Sequence, residues 1–304
     1  MTDLAVDLLA GDRRALARAV SIVEDHRTGA EELLAGVASA RRGVAVIGIT
    51  GPPGAGKSTL TNAIVTELRG RGLTVAVAAV DPSSPLSGGA VLGDRVRMLG
   101  HIDDPGVYVR SLASRGRVGG LAWSIVPVVD VLDAAGFDVV IVETVGAGQS
   151  EVDIAGIADT TVVVVAPGAG DDIQAMKAGI LEVADVLVVN KADLPGSETT
   201  RRDLLAALAL ADGDEVPVLA TIATGGDGVP ELVDRLPLDP GGAPSVRRRA
   251  EAAVRLAAEQ LLRGALDDRA LLDEAVDAVV AGGLRVDDAA RRWLGGAVQG
   301  GEDG

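Results

Sequence analysis

The chain has 304 residues, 48% of them apolar, with a net charge of −16 and no cysteine. That length suits one large domain with appendages or two small ones. The charge argues against a nucleic-acid binder, which needs basic patches, and the missing cysteine excludes disulfides, thiolate metal sites and cysteine nucleophiles. His26 and His101 are the only histidines and stand far apart in sequence, a poor basis for a metal cluster. Four aromatic side chains are present, Tyr108, Trp123, Phe137 and Trp293. The core must therefore be built from Val, Leu, Ile and Ala, as suits buried parallel strands. No apolar run approaches the ~18 residues of a membrane span, and the acidic start lacks a signal-peptide pattern. The expectation is a cytoplasmic protein that binds neither membrane nor nucleic acid.

Residues 3–42 carry Leu and Val at helical spacing (Leu16, Val20, Val23, then Leu33, Leu34, Val37), with Asp12 as an N-cap. From Val44 the period changes. Short aliphatic runs, Val44–Thr50, Val75–Val80, Val107–Arg110, Val139–Val142, Val162–Ala166, Val186–Val189 and Val216–Ala220, alternate with helical stretches. This alternation predicts an α/β fold with a mostly parallel sheet covered on both faces. The section closes near the helix bearing Leu232, Val233 and Leu236, followed by a Pro/Gly-rich break over 237–244. Helical patterns return at Arg247–Leu266, Arg269–Val280 and Val286–Leu294. The predicted division is an N-terminal helical extension (1–42), an α/β domain (43–238) and a C-terminal helical arm (245–304).

The chemistry sits in the loops after the strands. Gly51-x4-Gly56-Lys57-Ser58 follows the first strand and opens a helix, the context of a phosphate-binding loop. Its glycines let backbone N–H groups turn toward phosphate oxygens, and the helix N-terminus adds partial positive charge. Pro53, Gly54, Ala55, Gly56, Lys57, Ser58 and Thr59 are the candidate nucleotide contacts. Lys57 is expected to reach the β- and γ-phosphates and the Ser58 hydroxyl to ligate Mg²⁺. Only three of the 28 basic residues are lysine. Two of these, Lys57 and Lys191, fall in nucleotide motifs, where a compact ammonium fits and a guanidinium fork does not.

Asn190-Lys191-Ala192-Asp193 follows the strand Val186–Val189. The Asp193 carboxylate can accept from guanine's ring N–H and exocyclic amine, a donor pair that adenine lacks, so the loop selects GTP and GDP over ATP. Thr221, Ile222 and Ala223 end a further strand, where a backbone N–H could reach the guanine O6. Asp81 and Glu143 stand at the ends of strands facing the same crevice. With Asp94, in Gly93-Asp94-Arg95, and Ser58, they are the candidate metal set, of which Mg²⁺ would use few directly.

Taken together, these residues resemble the MeaB/ArgK-type GTPases, the family that includes the methylmalonic aciduria type A protein. The resemblance runs through Gly48-Ile49-Thr50 and the phosphate loop, Asp81-Pro82-Ser83-Ser84-Pro85, Leu92-Gly93-Asp94-Arg95-Val96-Arg97-Met98, Glu143-Thr144-Val145-Gly146-Ala147-Gly148-Gln149-Ser150-Glu151, Gln174-Ala175-Met176-Lys177-Ala178-Gly179 and Asn190–Asp193. It implies a P-loop G domain with flanking helices. It also implies that Asp81, Asp94 and Glu143 organise Mg²⁺ and the hydrolytic water, with Lys57, Asp94 and Glu143 as the catalytic set. Residues 82–98 and 144–153 would be the first and second switches, and Lys177 would lie in an additional one. The implied function is that of a G-protein chaperone of an adenosylcobalamin-dependent acyl-CoA mutase, acting as a homodimer joined through its C-terminal arm. One departure is Ile222, where members of the family often carry serine beside the guanine.

Two other readings share the phosphate loop. A nucleotide-dependent protein kinase of an amino-acid transport system would transfer the γ-phosphate to a protein, but no acceptor-binding domain is visible. A nickel-insertion GTPase would need Cys/His clusters that this chain lacks.

Overall fold

The structure is a computed structural model that describes residues 3–81, 99–101, 103–113, 122–144, 150–168, 181–209, 216–267 and 269–299. Asp94, Gln149 and Lys177 lie outside the described residues, as do all of the first expected switch and residues 145–149 of the second.

The chain opens with α1 (Asp3–Leu9), α2 (Arg13–Glu24) and α3 (Ala30–Val37). Asp12 caps α2 as its position suggests, accepting from the N–H groups of Arg14 and Ala15 at 2.7 and 2.8 Å. Strand and helix then alternate: β1 (Ala45–Thr50), α4 (Lys57–Gly70), β2 (Val75–Asp81), β3 (Val107–Ala113), α5 (Ala122–Ala134), β4 (Val139–Thr144) and α6 (Ser150–Ile157). They continue as β5 (Thr160–Val165), β6 (Val186–Asn190), α7 (Ser197–Leu208), β7 (Val218–Thr221) and α8 (Val229–Asp234). All seven expected strands are present and lie in one sheet of order β3-β2-β4-β1-β5-β6-β7, every neighbouring pair parallel. The phosphate-loop strand β1 thus runs between β4 and β5, at the centre.

The strands β1, β4, β5 and β6 are buried along their whole length on both faces, which is why their sequences read as nearly unbroken aliphatics. Along β1, Val46 joins the core under α2, α3, α5 and α6, while Ile47 and Ile49 pack with Leu60, Ile64 and Leu68 of α4 on the opposite face. Gly48 points to the α6 side, and a Cβ there would stand 2.9 Å from Ile154 and 3.0 Å from Ala158. Its missing side chain lets α6 lie close against the central strand.

Three C-terminal helices follow, α9 (Gly242–Asp267), α10 (Arg269–Val280) and α11 (Val286–Gln299). The first begins inside the predicted break, because Pro244 falls in its opening turn, where a missing backbone N–H costs nothing. The break is a tight joint: Gly241 N–H donates to Gly43 O at 2.8 Å, and a Cβ on Gly43 would meet Gly242 O at 2.2 Å. Helix α9 packs on α5 and α6, and α11 packs on both α9 and α10. Among the described residues no helix is long and apolar enough to cross a membrane.

Gly48→Val is expected to overpack the β1–α6 contact and cost about 1–3 kcal/mol of stability. A lowered urea midpoint with unchanged m-value would register it.

Candidate functional site

The C-terminal ends of β1, β4, β6 and β7 lie at one rim of the sheet. Gly51 leaves β1 at φ 135° so close to β5 that a Cβ would lie 2.1 Å from Val164 O. Only glycine fits that passage. Gly54 and Gly56 also have positive φ, 79° and 92°, which turns the loop back into α4. Pro53, Gly54 and Thr59 are exposed, whereas Ala55, Lys57 and Ser58 are buried. The Lys57 ammonium donates to Gly51 O at 2.7 Å and Pro52 O at 3.0 Å, holding its charge inside the curl of the loop.

Ser58 and Glu143 meet as the strand ends suggest. The Ser58 hydroxyl donates to Glu143 Oε1 at 2.5 Å, with both side chains buried. Thr144, the next residue, donates to Thr50 Oγ1 at 2.9 Å, so the last residues of β4 and β1 are tied together just before their loops begin. This pair was not singled out from the sequence. Its signal was a threonine closing each of two aliphatic strands. Asp81 occupies the end of β2, two strands from β1 and beside β4.

The Asn190 side chain is the hinge of the rim. Its Nδ2 donates to Ala55 O at 3.0 Å, while its Oδ1 accepts from Thr221 Oγ1 at 3.1 Å and Ala223 N–H at 3.2 Å. The amide therefore ties the phosphate loop to both loops expected to surround the base. Gly56 is needed for this contact, since a Cβ there would stand 2.4 Å from Asn190 Nδ2. Lys191 adopts φ 57°, a left-handed conformation that costs a non-glycine residue energy. That turn brings its ammonium to Gly54 O at 2.8 Å. Asp193 is exposed at the same rim. Ile222 N–H donates to Asp227 O at 3.0 Å, closing a tight turn whose other end, Gly228, has φ 73°. Within the Thr221–Ala223 exit, the N–H groups of Ile222 and Ala223 thus both donate to protein oxygens.

The donor set at Ser58 and Glu143 suits a hard cation: a hydroxyl and a carboxylate, already in contact, at the mouth of the phosphate loop. This meeting of oxygens fits Mg²⁺.

A parallel sheet with a phosphate loop at its central strand, and an asparagine tying that loop to two further strand ends, defines a P-loop GTPase. Comparison with known proteins narrows the class. The family model for the methylmalonyl-CoA mutase-associated GTPase MeaB matches residues 16–266, and the chain belongs to this family. It is 42% identical over 187 residues to the GTPase ArgK of Escherichia coli, covering 60% of this chain and 56% of that protein. With the mitochondrial methylmalonic aciduria type A homolog of Mus musculus it shares 34% identity over 254 residues, 77% of this chain and 61% of that one. A crystal structure of a LAO/AO transport system kinase superposes with TM-score 0.70 at 26% identity, over 98% of this chain and 97% of the other.

Asn190→Ala would leave Ala55 O, Thr221 Oγ1 and Ala223 N–H without their shared partner, each buried group costing about 1–3 kcal/mol when unpaired. The expected result is at least about a tenfold rise in the Kd for GDP, read by calorimetry.

Proposed function

We propose that this GTPase is a chaperone of an adenosylcobalamin-dependent acyl-CoA mutase, methylmalonyl-CoA mutase being the first candidate, and that its nucleotide state gates cofactor loading or protection. The match over residues 16–266 to a family named for its association with that mutase carries the reading. The rim supplies the chemistry it needs. Lys57 would exchange the carbonyls of Gly51 and Pro52 for phosphate oxygens, and loop amides from Pro53 to Thr59 would cradle the phosphates. Asp193 would accept from guanine, with Asn190 and Lys191 holding the base loop on the phosphate loop and Thr221–Ala223 closing its other side.

Ser58 would hold Mg²⁺, with Glu143, Asp81 and Asp94 accepting from its waters and orienting the attacking one. When bound, that ion offsets phosphate charge. Hydrolysis by the protein alone should be slow and should rise when a mutase partner engages the switch segments.

We place the protein in the cytoplasm and read it as a homodimer. Val254, Val276, Val280 and Val286 are 69, 48, 80 and 69% exposed on the C-terminal helices, apolar side chains that a two-fold pair would cover. Light scattering at micromolar concentration is expected to give twice the chain mass, and truncation near Pro244 to give a monomer that still binds GTP.

The kinase reading is favoured by the name of one structural relative, so the decisive experiment follows the γ-phosphate. With labelled GTP, the label should appear as inorganic phosphate, and adding the mutase should raise the rate by about an order of magnitude or more. Label retained on a protein, or a fast rate indifferent to every such mutase, overturns the chaperone.

A further inference from the structure

Arg249 is a residue of α9, remote in sequence from the nucleotide motifs, yet it is only 1% exposed. Its Nη1 donates to Val44 O at 3.1 Å and to Asp159 Oδ2 at 3.3 Å, and its Nη2 lies 3.6 Å from Asp133 Oδ2. Among the described residues its Nε and Nη2 have no hydrogen-bond partner. Burial pushes the guanidinium pKa down, against the pull of Asp133 and Asp130. A buried ion pair with donors left over is a costly way to stabilise a fold, and an apolar side chain of similar size often does as well. The arrangement is better suited to fixing a geometry.

The geometry it fixes is that of α6. Asp159 is the second residue after that helix. Its backbone N–H donates to Val46 O at 2.7 Å, its Oδ2 accepts from Val46 N–H at 2.8 Å, and its Oδ1 pairs with Arg248. Helix α6 is held on its sheet side by Gly48 against Ile154. On its outer side a Cβ at Gly156 would touch Ala252 of α9 at 3.6 Å. Its first residue, Ser150, lies six positions after Thr144 and seven after Glu143, which accepts from Ser58. A shift of α6 therefore moves Ser150, the first described residue beyond the end of β4 that carries Glu143.

We propose that Arg249 is a positioning residue for GTP hydrolysis, with α9 as a brace that sets the place of α6, the helix that follows Glu143. Displacement of the C-terminal helices by whatever grips them is then transmitted to the hydrolytic end of the sheet through Arg249, Asp159 and the Gly156–Ala252 contact. The inference rests on the segment after Glu143 being nucleotide-responsive, and it does not depend on which partner the protein serves.

The test uses the full-length protein in three forms besides wild type: Arg249→Met, Asp159→Asn and Gly156→Leu, the last forcing α6 and α9 apart with the ion pairs intact. Steady-state hydrolysis of GTP and calorimetric binding of GDP are measured on each. Each variant is expected to lose fivefold or more in kcat while its Kd for GDP stays within twofold of wild type, and Arg249→Lys should recover part of the loss. A kcat within twofold of wild type in all three overturns the proposal. So does a parallel loss of kcat and GDP affinity in all three, the mark of a role in stability alone. If wild type itself hydrolysed no GTP, the fault would lie with the GTPase assignment and not with the brace.

Discussion

The site depends on a single close approach of two backbones. Between β1 and the phosphate loop, the chain at Gly51 passes the Val164 carbonyl with no room for even one methyl group. That passage aims the loop across the rim of the sheet, where Gly56 can slide beneath the Asn190 amide and Lys191 can reach Gly54. Packing alone could hold seven strands together. Only contacts at van der Waals limit, made where side chains are missing, fix three loops relative to one another closely enough for a ligand to meet all of them at once. The sheet supplies rigidity because every strand but the two edges is paired on both sides.

Much of this was legible in the residues because the physics there is local. A β1 that reads Ala45-Val46-Ile47-Gly48-Ile49-Thr50 must be buried on both faces, and a glycine-rich turn ending in Lys57-Ser58 has few other uses. Asp12 could be named as a cap because capping depends on a few neighbouring residues. The meeting of Ser58 with Glu143 also followed, since parallel strand ends all open on one crevice. What stayed hidden is what depends on distant partners. The Thr50–Thr144 tie joins residues whose side chains give no periodic signal. The role of Asn190 as a brace needs Ala55, Thr221 and Ala223 in place together. Pro244 read as a terminator, though proline opens a helix as readily as it follows one.

Besides Lys57 and Glu143 at the nucleotide rim, a second group of buried charge lies where the chain enters the sheet. Asp133, fully buried, accepts from the N–H groups of Arg42 and Gly43 at 2.9 Å each, and Asp130 pairs with Arg41 at 2.7 Å. Burial raises the Asp130 pKa, and Arg41 opposes the shift. Asp133 serves backbone donors and Asp130 a guanidinium, both at the entrance to β1, where the chain turns from the N-terminal helices into the sheet. The start of α9 enters the same cluster. One set of acids therefore receives both the segment before the α/β unit and the segment after it.

The near-absence of aromatic rings from the interior has a thermodynamic consequence. Val and Ile dominate the strands, and a β-branched side chain has few χ1 states to lose, whether in the unfolded chain or in the sheet. Ordering such a core costs about 0.5–1 kcal/mol per Ile or Leu side chain, against up to about 2 kcal/mol for long flexible ones. The same stiffness means that a strand displaced along its axis finds no alternative rotamers with which to refill the gap. A sheet of this composition resists sliding, and movement is left to the loops at its rim and the helices on its faces.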